Sequence, residues 1–320
     1  MSLAYDLVIP ATSPEGVGRL LAALDRGGAP RPAAIFVVDD RPVPESPMVT
    51  GHGNVGVIMC GGRGPAAARN LGWRAGESPW VVFLDDDVVP APGWAQALGE
   101  DVAARDARVA AVAGTVRVPR SDDGPPTDWE RQVLALERAR WVTADMAVRR
   151  EVLERLGGFD ERFPRPYRED ADLGLRIAEG GWSIAQGGRV TLHPIGRAGP
   201  WVSVRRQVGN RDDALMRRLH GADWRRRTGA GAGRLRAHAA VVAAALGGAV
   251  AAIARRRAPA AVLGLGATAG IAEFAWRRIE PGPRDAREVA TMAVTSAAIP
   301  FAAVWHRTAA TLRLLVRGPG

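Results

Sequence analysis

The 320-residue sequence contains one cysteine, Cys60, and no lysine. A single cysteine excludes an internal disulfide and a zinc site built from thiolates. All 43 basic residues are arginine, and alanine and glycine are abundant, so a general compositional bias raises the positive charge throughout the chain. The net charge of +9 is therefore weak evidence for a nucleic-acid partner, and none is expected.

The sequence also lacks internal repeats and a long apolar run near its start. The first ten residues have neither a basic segment nor the apolar stretch of a signal peptide, so we expect a strand to begin there directly. Hydrophobic residues make up 47% of the chain and charged residues 24%, which is typical of a globular protein. The length fits one large α/β domain or two smaller domains.

Charge is distributed unevenly along the chain. Residues 1–200 carry 23 arginines against 27 acidic residues, whereas residues 201–320 carry 20 arginines against 7. This contrast predicts two regions with different surroundings, a catalytic domain over residues 1–230 and a basic, alanine-rich helical region over residues 231–320.

Three apolar stretches lie in the basic region, over residues 237–254, 258–276 and 289–305, with arginines between them. Each approaches the ~17–25 residues that a membrane-spanning helix needs. We expect this region to hold the protein on an anionic membrane surface, at the cytoplasmic face of the cell membrane. The alternative is a soluble cytoplasmic protein in which these helices form a bundle on the catalytic domain.

The first half of the sequence alternates short β-type runs with helical periodicity, which predicts an α/β fold with a mainly parallel sheet. Ligands bind such sheets beyond the carboxyl ends of the strands. The predicted strands cover residues 7–9, 34–38, 55–59, 80–84 and 109–118, and the predicted helices cover residues 16–24, 65–75 and 93–105.

Acidic residues follow two of these strands. Asp39 and Asp40 close the second strand, and the triplet Asp85, Asp86 and Asp87 follows the fourth. Three adjacent carboxylates repel one another unless a cation or hydrogen-bond donors compensate them. Hard oxygen ligands suit Mg²⁺ or Mn²⁺, which complete their coordination with substrate phosphates. The simpler interpretation is a solvated strand end.

A second acidic cluster begins a later helix, at Glu169, Asp170 and Asp172. Helix capping explains one or two acids at a helix N-terminus, and a general base is the competing interpretation of the third. His193 ends a further strand, where a histidine is either a structural hydrogen bonder or a metal ligand.

Taken in order, these segments resemble a family 2 glycosyltransferase with the A-type fold. The resemblance covers about residues 4–195 and implies a Rossmann-like nucleotide-diphospho-sugar transferase domain. The matching pieces are residues 6–12, Val37-Val38-Asp39-Asp40, Ala68-Arg69-Asn70, residues 83–87, Gly157-Gly158-Phe159-Asp160-Glu161, Glu169-Asp170-Ala171-Asp172-Leu173 and residues 190–193.

The resemblance implies a metal-dependent, inverting transfer of one sugar from a nucleotide-sugar donor to a hydroxyl acceptor, with Mn²⁺ or Mg²⁺ as cofactor. A lipid-linked or cell-envelope acceptor is one candidate. The Gln-x-x-Arg-Trp motif of processive synthases is absent, although Gln207 and Arg211 lie in the corresponding region. The implied catalytic residues are Asp170, as the base, and Glu169. The implied donor-binding residues are Pro10, Thr12, Asp40, Arg69, Asp85 and Asp86. The implied metal ligands are Asp85, Asp87 and His193.

Three other functions compete with this interpretation. A sugar-phosphate nucleotidyltransferase would carry a glycine-rich loop and a basic residue directly after the first strand, and residues 10–15 have neither. A nucleic-acid binder would interleave aromatic and basic side chains on a solvated surface, unlike the apolar rear half. A catalytically inactive, glycosyltransferase-like membrane scaffold is the third, and the intact set of acids argues against it.

Overall fold

The structure is a computed structural model that describes residues 3–50, 52, 54–103, 105–120 and 124–316. The chain divides into two compact units. Unit 1 comprises Met1–Arg120, Leu134–Ile195 and Arg227–Gly229, and unit 2 comprises Ser121–Val133, Gly196–Arg226 and Ala230–Gly320. The domain boundary expected near residue 230 stays a prediction.

The described residues of unit 1 contain one eight-stranded sheet, in the order β3-β2-β1-β4-β7-β6-β8-β5. Its strands are β1 (Tyr5–Ala11), β2 (Ala34–Asp39), β3 (Val55–Met59), β4 (Trp80–Leu84), β5 (Val89–Pro90), β6 (Val109–Arg117), β7 (Asp145–Arg149) and β8 (Ser183–Leu192).

Both directions of strand pairing occur in this sheet. Strands β3, β2, β1 and β4 run parallel to one another, and β6 runs parallel to β8. Strand β7 runs antiparallel between β4 and β6, and β5 pairs antiparallel with β8. The α/β prediction is confirmed, but the sheet is more mixed than expected because the short strands β5 and β7 carry no distinct local pattern.

Twelve α-helices lie in the described part of the chain. They are α1 (Pro14–Arg26), α2 (Pro65–Ala75), α3 (Trp94–Ala103), α4 (Asp128–Leu134), α5 (Arg150–Leu156), α6 (Glu169–Glu179), α7 (Val202–Arg205), α8 (Asn210–His220), α9 (Trp224–Thr228), α10 (Leu235–Ile253), α11 (Arg257–Ile279) and α12 (Ala286–Val316).

Local sequence explains where the first strands and helices form. All five residues of β4 are buried, as expected for a strand covered on both faces. Helix α1 begins at a favourable cap, where the Ser13 hydroxyl accepts a hydrogen bond from the Gly16 amide at 3.1 Å and Pro14 occupies the first turn. Its buried side then faces the sheet with Val17 and Leu20.

A buried ionic network joins α3 to the centre of the sheet. The Arg189 guanidinium is fully buried and donates to Asp145 Oδ1 at 2.7 Å and to Asp101 Oδ2 at 2.9 Å. Asp145 also accepts hydrogen bonds from Trp94 Nε1 and the Thr191 hydroxyl. Because Asp145 pairs with Leu84 across the β4–β7 ladder, the network lies directly beside the strand end that carries Asp85.

We predict that Arg189→Met lowers the free energy of unfolding by about 3–5 kcal/mol, because it leaves two buried carboxylates without their cation. Thermal and urea unfolding in detergent measure the change. The control Arg155→Met removes an exposed ion pair with Glu151 and is expected to change stability by less than about 1 kcal/mol. Equal effects of the two substitutions would contradict a structural role for the network.

Three helices of unit 2 are long and apolar enough to cross a membrane. Their mean hydropathies are 1.6 for α10, 1.4 for α11 and 1.4 for α12. Only 22%, 11% and 33% of their most apolar segments are buried within the protein. The three predicted apolar stretches therefore form helices, and each is longer than its apolar stretch.

Candidate active site

The carboxyl ends of three parallel strands meet at one edge of the sheet. Strand β1 lies between β2 and β4, so the residues that follow these strands are neighbours. Strand β8 ends beside β6, where the His193 amide donates to the Arg117 carbonyl at 2.7 Å. The residues that follow β1, β2 and β4 are Thr12, Asp40 and Asp85.

The central carboxylate of the acidic triplet is held by backbone amides. Asp86 Oδ2 accepts hydrogen bonds from the amides of Thr12 at 2.7 Å and Ser13 at 2.8 Å. Gly16 permits this approach, since a Cβ atom there would lie 2.3 Å from the Asp86 carbonyl oxygen. Pro10 is buried within β1, whereas Thr12 is exposed. Asp86 thus positions the segment that follows β1.

The third carboxylate of the triplet lies beside the predicted histidine ligand. Asp87 Oδ2 is 3.4 Å from His193 Nε2. The pKa of Asp87 is raised to about 6, because surrounding protein limits its hydration and because Asp85 repels its charge. The other ring nitrogen of His193, Nδ1, is buried without a hydrogen-bond partner among the described residues.

These features fit a divalent cation whose coordination a substrate completes. Within the described parts of the chain, no group of three or more His, Cys, Asp or Glu side chains forms a ready metal cage. Asp87 and His193, which contact each other, would supply one oxygen and one nitrogen ligand. Mg²⁺ and Mn²⁺ are commonly bound by one or two carboxylates together with substrate phosphates, so an incomplete protein shell is the expected arrangement.

A second carboxylate held by a backbone amide follows the carboxyl end of β2. Asp40 accepts a hydrogen bond from the Gly64 amide, with N–O distances of 3.0 and 3.2 Å. Gly64 has φ of +97°, and a Cβ atom there would lie 2.3 Å from the Pro164 carbonyl oxygen. The neighbouring Asp39 is buried and bound by Arg41, which lowers its pKa. Asp40 is thus the acid of this pair that remains at the surface.

Arg69 lies at the centre of the site and is buried. From α2, its Nη2 atom donates to Asp85 Oδ1 at 2.7 Å and its Nη1 atom to Glu169 Oε1 at 2.9 Å. The Arg69 side chain is 2% exposed, and its guanidinium carbon lies 5.4 Å from the centre of the Phe159 ring. One cation therefore joins the acidic triplet to the acid pair at the start of α6.

The turn that carries Phe159 is fixed by an amide side chain. Asn70 Oδ1 accepts from the Phe159 amide at 2.9 Å, and Asn70 Nδ2 donates to the Phe159 carbonyl at 2.9 Å. Gly158 has φ of +80°, and a Cβ atom there would lie 2.3 Å from Asn70 Oδ1. Asn70 and Gly158 were visible in the sequence as motif residues, but their mutual contact was not.

The acid pair occupies the first turn of α6. Glu169 is buried, and its second oxygen, Oε2, has no hydrogen-bond partner among the described residues. Burial and the neighbouring charge of Asp170 raise the pKa of Glu169. Burial also raises the pKa of Asp170, whose Oδ1 accepts from the Ala171 amide at 2.7 Å. Asp170 is the more exposed of the two, so the expectation that it is the acid that meets a substrate stays a prediction.

Strained backbone precedes this pair. Arg168 has φ of +80°, a left-handed conformation that is unfavourable for a residue with a side chain. Such residues persist where the surrounding structure enforces them, and they are concentrated at functional sites. Here the strained residue sets the direction in which Glu169 and Asp170 enter the helix.

The family 2 glycosyl transferase sequence profile matches residues 14–157, which include α1, α2 and the acidic triplet. The chain belongs to glycosyltransferase family 2. Two relatives come from Mycobacterium tuberculosis. One is a pre-mycofactocin glycosyltransferase, 31% identical over 193 residues that cover 55% of this chain and 39% of the relative. The other is an N-acetylglucosaminyl-diphospho-decaprenol L-rhamnosyltransferase, 30% identical over 210 residues that cover 51% of this chain and 66% of the relative.

The match therefore spans about two fifths of the first relative and two thirds of the second. Among solved structures, a mannosyltransferase from Pyrobaculum calidifontis in complex with GDP-Man and Mn²⁺ superposes with a TM-score of 0.53. It is 17% identical, and the match covers 98% of this chain and 88% of that one. This similarity supports the glycosyltransferase A-type fold, which confirms the fold class predicted from the sequence.

The roles of the individual site residues stay predictions, and the geometry refines how to test them. We predict that Asp87→Ala abolishes the rise in melting temperature that Mn²⁺ gives in the presence of a nucleoside diphosphate, because the cation loses its exposed carboxylate ligand. His193→Ala is expected to weaken the response. Thermal titration with Mn²⁺ measures both.

Asp86→Asn is the matched control, because Asp86 is bound to backbone amides and its loss removes the same charge. Because Asp86 is also a predicted donor-binding residue, we expect this variant to weaken the Mn²⁺ response less than Asp87→Ala does. An unchanged Mn²⁺ titration in Asp87→Ala would refute the metal assignment.

Proposed function

We propose that this family 2 glycosyltransferase transfers one sugar from a nucleoside-diphosphate sugar to a hydroxyl acceptor, with inversion at the anomeric carbon and with a divalent cation. The observation that carries this proposal is the buried Arg69, bonded to Asp85 on one side and to Glu169 on the other. It holds a candidate donor-binding carboxylate and a candidate catalytic acid in one rigid arrangement.

The donor side of the site suits an anionic diphosphate. Asp85, Asp87 and His193 would hold Mn²⁺ or Mg²⁺, which when bound neutralises charge on the diphosphate leaving group. Asp40 and the loop containing Gly64 lie at the end of β2, where a hydrogen bond to the nucleoside would hold the base. The mannosyltransferase with bound GDP-Man and Mn²⁺ supports a donor and cation of this class.

The buried Arg69 adds a positive charge next to the carboxylates of the proposed donor site. Its guanidinium is already shared between two carboxylates, so its main role is to orient them. Direct contact between Arg69 and the diphosphate stays a prediction. Its buried Nε atom has no hydrogen-bond partner among the described residues, which leaves one donor available.

Asp170 is the proposed general base. It takes the proton from the acceptor hydroxyl as that oxygen attacks the anomeric carbon, and the bond to the diphosphate breaks on the opposite face. A single displacement of this kind inverts the configuration. Because burial raises the pKa of Asp170, its carboxylate is a stronger base than an ordinary aspartate. Glu169 holds the Arg69 guanidinium, which in turn orients Asp85.

The acceptor is proposed to be lipid-linked. The decaprenol-linked substrate in the name of the rhamnosyltransferase relative supports this class, as do the three apolar helices of unit 2. The excess of arginine after residue 200 favours an anionic membrane, and we place the enzyme at the cytoplasmic face.

The test of the function is transfer from a panel of UDP-, GDP- and TDP-sugars to lipid-extract acceptors, with Mn²⁺, Mg²⁺ or a chelator. The expected result is metal-dependent transfer from one donor group, with an inverted anomeric configuration by NMR. Binding and transfer with no dependence on a cation would refute metal dependence, and formation of a nucleotide sugar from a sugar phosphate would instead indicate a nucleotidyltransferase.

We predict that Asp170→Asn lowers kcat by about 10²–10⁴-fold, since a general base acts in the transition state. Donor affinity, measured by calorimetry with Mn²⁺, is expected to stay within a few-fold of wild type. Glu169→Gln is the control, because glutamine still accepts a hydrogen bond from Arg69, and its loss of kcat is expected to be smaller. A collapse of donor affinity in Asp170→Asn would assign Asp170 to donor binding.

We also predict the direction of the pH dependence. Since burial raises the pKa of Asp170, its carboxylate gains a proton, and kcat/KM falls, at a pH above the ordinary aspartate value of about 3.9. A pH–rate profile measures the position of this acid limb, and a limb at or below about 3.9 would contradict the raised pKa of Asp170.

A further inference from the structure

Unit 2 exposes large apolar side chains on two different surfaces. The first is the hairpin formed by α10 and α11, which exposes Leu246, Val250 and Leu265 by 60–70%. The second is one face of α12, which exposes Trp305 and Leu312 by 68% and 57%. The two surfaces differ in the polar contacts of the helices that carry them.

The hairpin has polar contacts at its open end, the end opposite the turn that joins α10 to α11. Arg234 and Arg277 pair with Glu273 there, and residues 239–254 and 258–272 contain no charged side chain. The two helices pack through small residues, since a Cβ atom on Gly248 would lie 3.3 Å from the Gly264 amide nitrogen. With 19 residues in α10, the hairpin is about 28 Å long at ~1.5 Å per residue, close to the ~30 Å hydrocarbon core.

Polar groups instead line one face of α12 along most of its length. Near its start, Glu288 Oε1 accepts from the Asp128 amide at 2.8 Å. In the middle, the hydroxyls of Thr295 and Ser296 accept from the buried Arg278 at 2.8 and 2.9 Å. The other two contacts come from α8: the Arg211 Nε atom donates to His306 Nδ1 at 3.2 Å, and Asp213 interacts electrostatically with Arg307.

These contacts oppose a spanning orientation of α12. From Glu288 to His306 the helix rises about 27 Å at ~1.5 Å per residue, which is nearly the full hydrocarbon thickness of ~30 Å. A spanning α12 would carry Asp128, Arg278 and the charged helix α8 into the hydrocarbon, where charged side chains are strongly unfavourable.

The opposite face of α12 is an apolar stripe, defined by Val294, Phe301, Trp305 and Leu312. At ~100° per residue these four side chains fall within about 40° of one another around the helix axis. All four are exposed, from 41% for Phe301 to 68% for Trp305. A helix with one apolar and one polar face is suited to lie in the plane of a membrane interface.

We propose that unit 2 meets the bilayer in two modes: the α10–α11 hairpin crosses it, and α12 lies in the interface plane with its apolar stripe toward the lipid. The proposal rests on the membrane attachment proposed above. The exposed Arg255–Arg257 turn then reaches the far headgroups, and the exposed Trp276 near the open end of the hairpin lies at the near interface.

The arginines near the apolar stripe favour lipid, and not a second copy of the chain, as the partner that covers the stripe. Helix α12 packs against both helices of a hairpin long enough to span, and the exposed Arg287 precedes the stripe on the same helix. Arginines beside an apolar face suit anionic headgroups, whereas a second copy would bring its own arginine excess into the same interface.

The test is cysteine labelling of the full chain in sealed liposomes that contain anionic lipid, with the catalytic unit outside. Single cysteines replace Arg287 and Arg313, near the two ends of α12, and Arg256, in the hairpin turn. A membrane-impermeant maleimide is the probe, and the native chain with its buried Cys60 gives the background. We expect Arg287→Cys and Arg313→Cys to label at once, and Arg256→Cys only after detergent is added.

Protection of Arg313→Cys to the same extent as Arg256→Cys would overturn the proposal by showing that α12 spans. Labelling of Arg256→Cys in sealed liposomes would overturn the crossing hairpin. Release of the protein by high salt alone would refute membrane insertion. None of these readouts depends on transfer, so donor affinity measured on the same samples shows separately whether the proposed enzyme function holds.

A nitroxide at Trp305→Cys tests the occupant of the stripe. The in-plane orientation predicts a depth of about 5–10 Å below the phosphates and access to dissolved oxygen. A depth near the bilayer centre would indicate spanning, and dipolar broadening without oxygen access would assign the stripe to a second copy. Either result would overturn the proposal. A nitroxide at the exposed Arg313→Cys serves as the matched control outside the stripe.

Discussion

The buried guanidinium of Arg69 is the contact on which the candidate active site depends. A cation at 2% exposure is stable only when carboxylates neutralise it, and Arg69 has two, Asp85 and Glu169. These acids lie 16 and 100 positions away in the sequence. The interaction therefore holds the end of β4 next to the start of α6. We expect a substitution at either acid to alter the position of the other.

The rest of unit 1 keeps these carboxylates in place. Asp86 is bound by the amides after β1, and Asn70 holds the turn whose Phe159 ring packs beside Arg69. The network of Asp145 and Arg189 lies beside the end of β4. These residues hold the strand ends and the turn beside the candidate site, so we expect them to position it.

Much of this arrangement follows from local sequence. The buried strand β4 and the helix α2 were predictable from their apolar runs and their proline and glycine boundaries, and the order of acidic motifs pointed to the family. The network around Arg189 was not predictable, because a buried arginine in an alternating strand has the same sequence pattern as an exposed one. The antiparallel insertion of β7 depends on pairing with β4 and β6, which no local pattern encodes.

Unit 2 shows a similar limit. Composition predicted three apolar helices, but the contacts of Glu288 with Asp128 and of His306 with Arg211, which place polar groups near both ends of α12, join residues distant in the sequence. The same mean hydropathy of 1.4 describes α11 and α12, although polar contacts are concentrated at the Arg278 end of α11 and recur along α12 from Glu288 to His306. Hydropathy measures how apolar a helix is, and its packing partners determine whether it can enter a membrane.

A double-mutant cycle of Arg69→Met and Glu169→Ala, measured by kcat/KM, tests most directly whether the donor and acid sides act as one unit. Groups in direct contact usually show coupling energies of about 0.5–3 kcal/mol, whereas independent sites add within about 0.3–0.5 kcal/mol. The predicted result is strong non-additivity, with the double variant little worse than Arg69→Met alone. Losses that multiply within about twofold would contradict the coupling through Arg69.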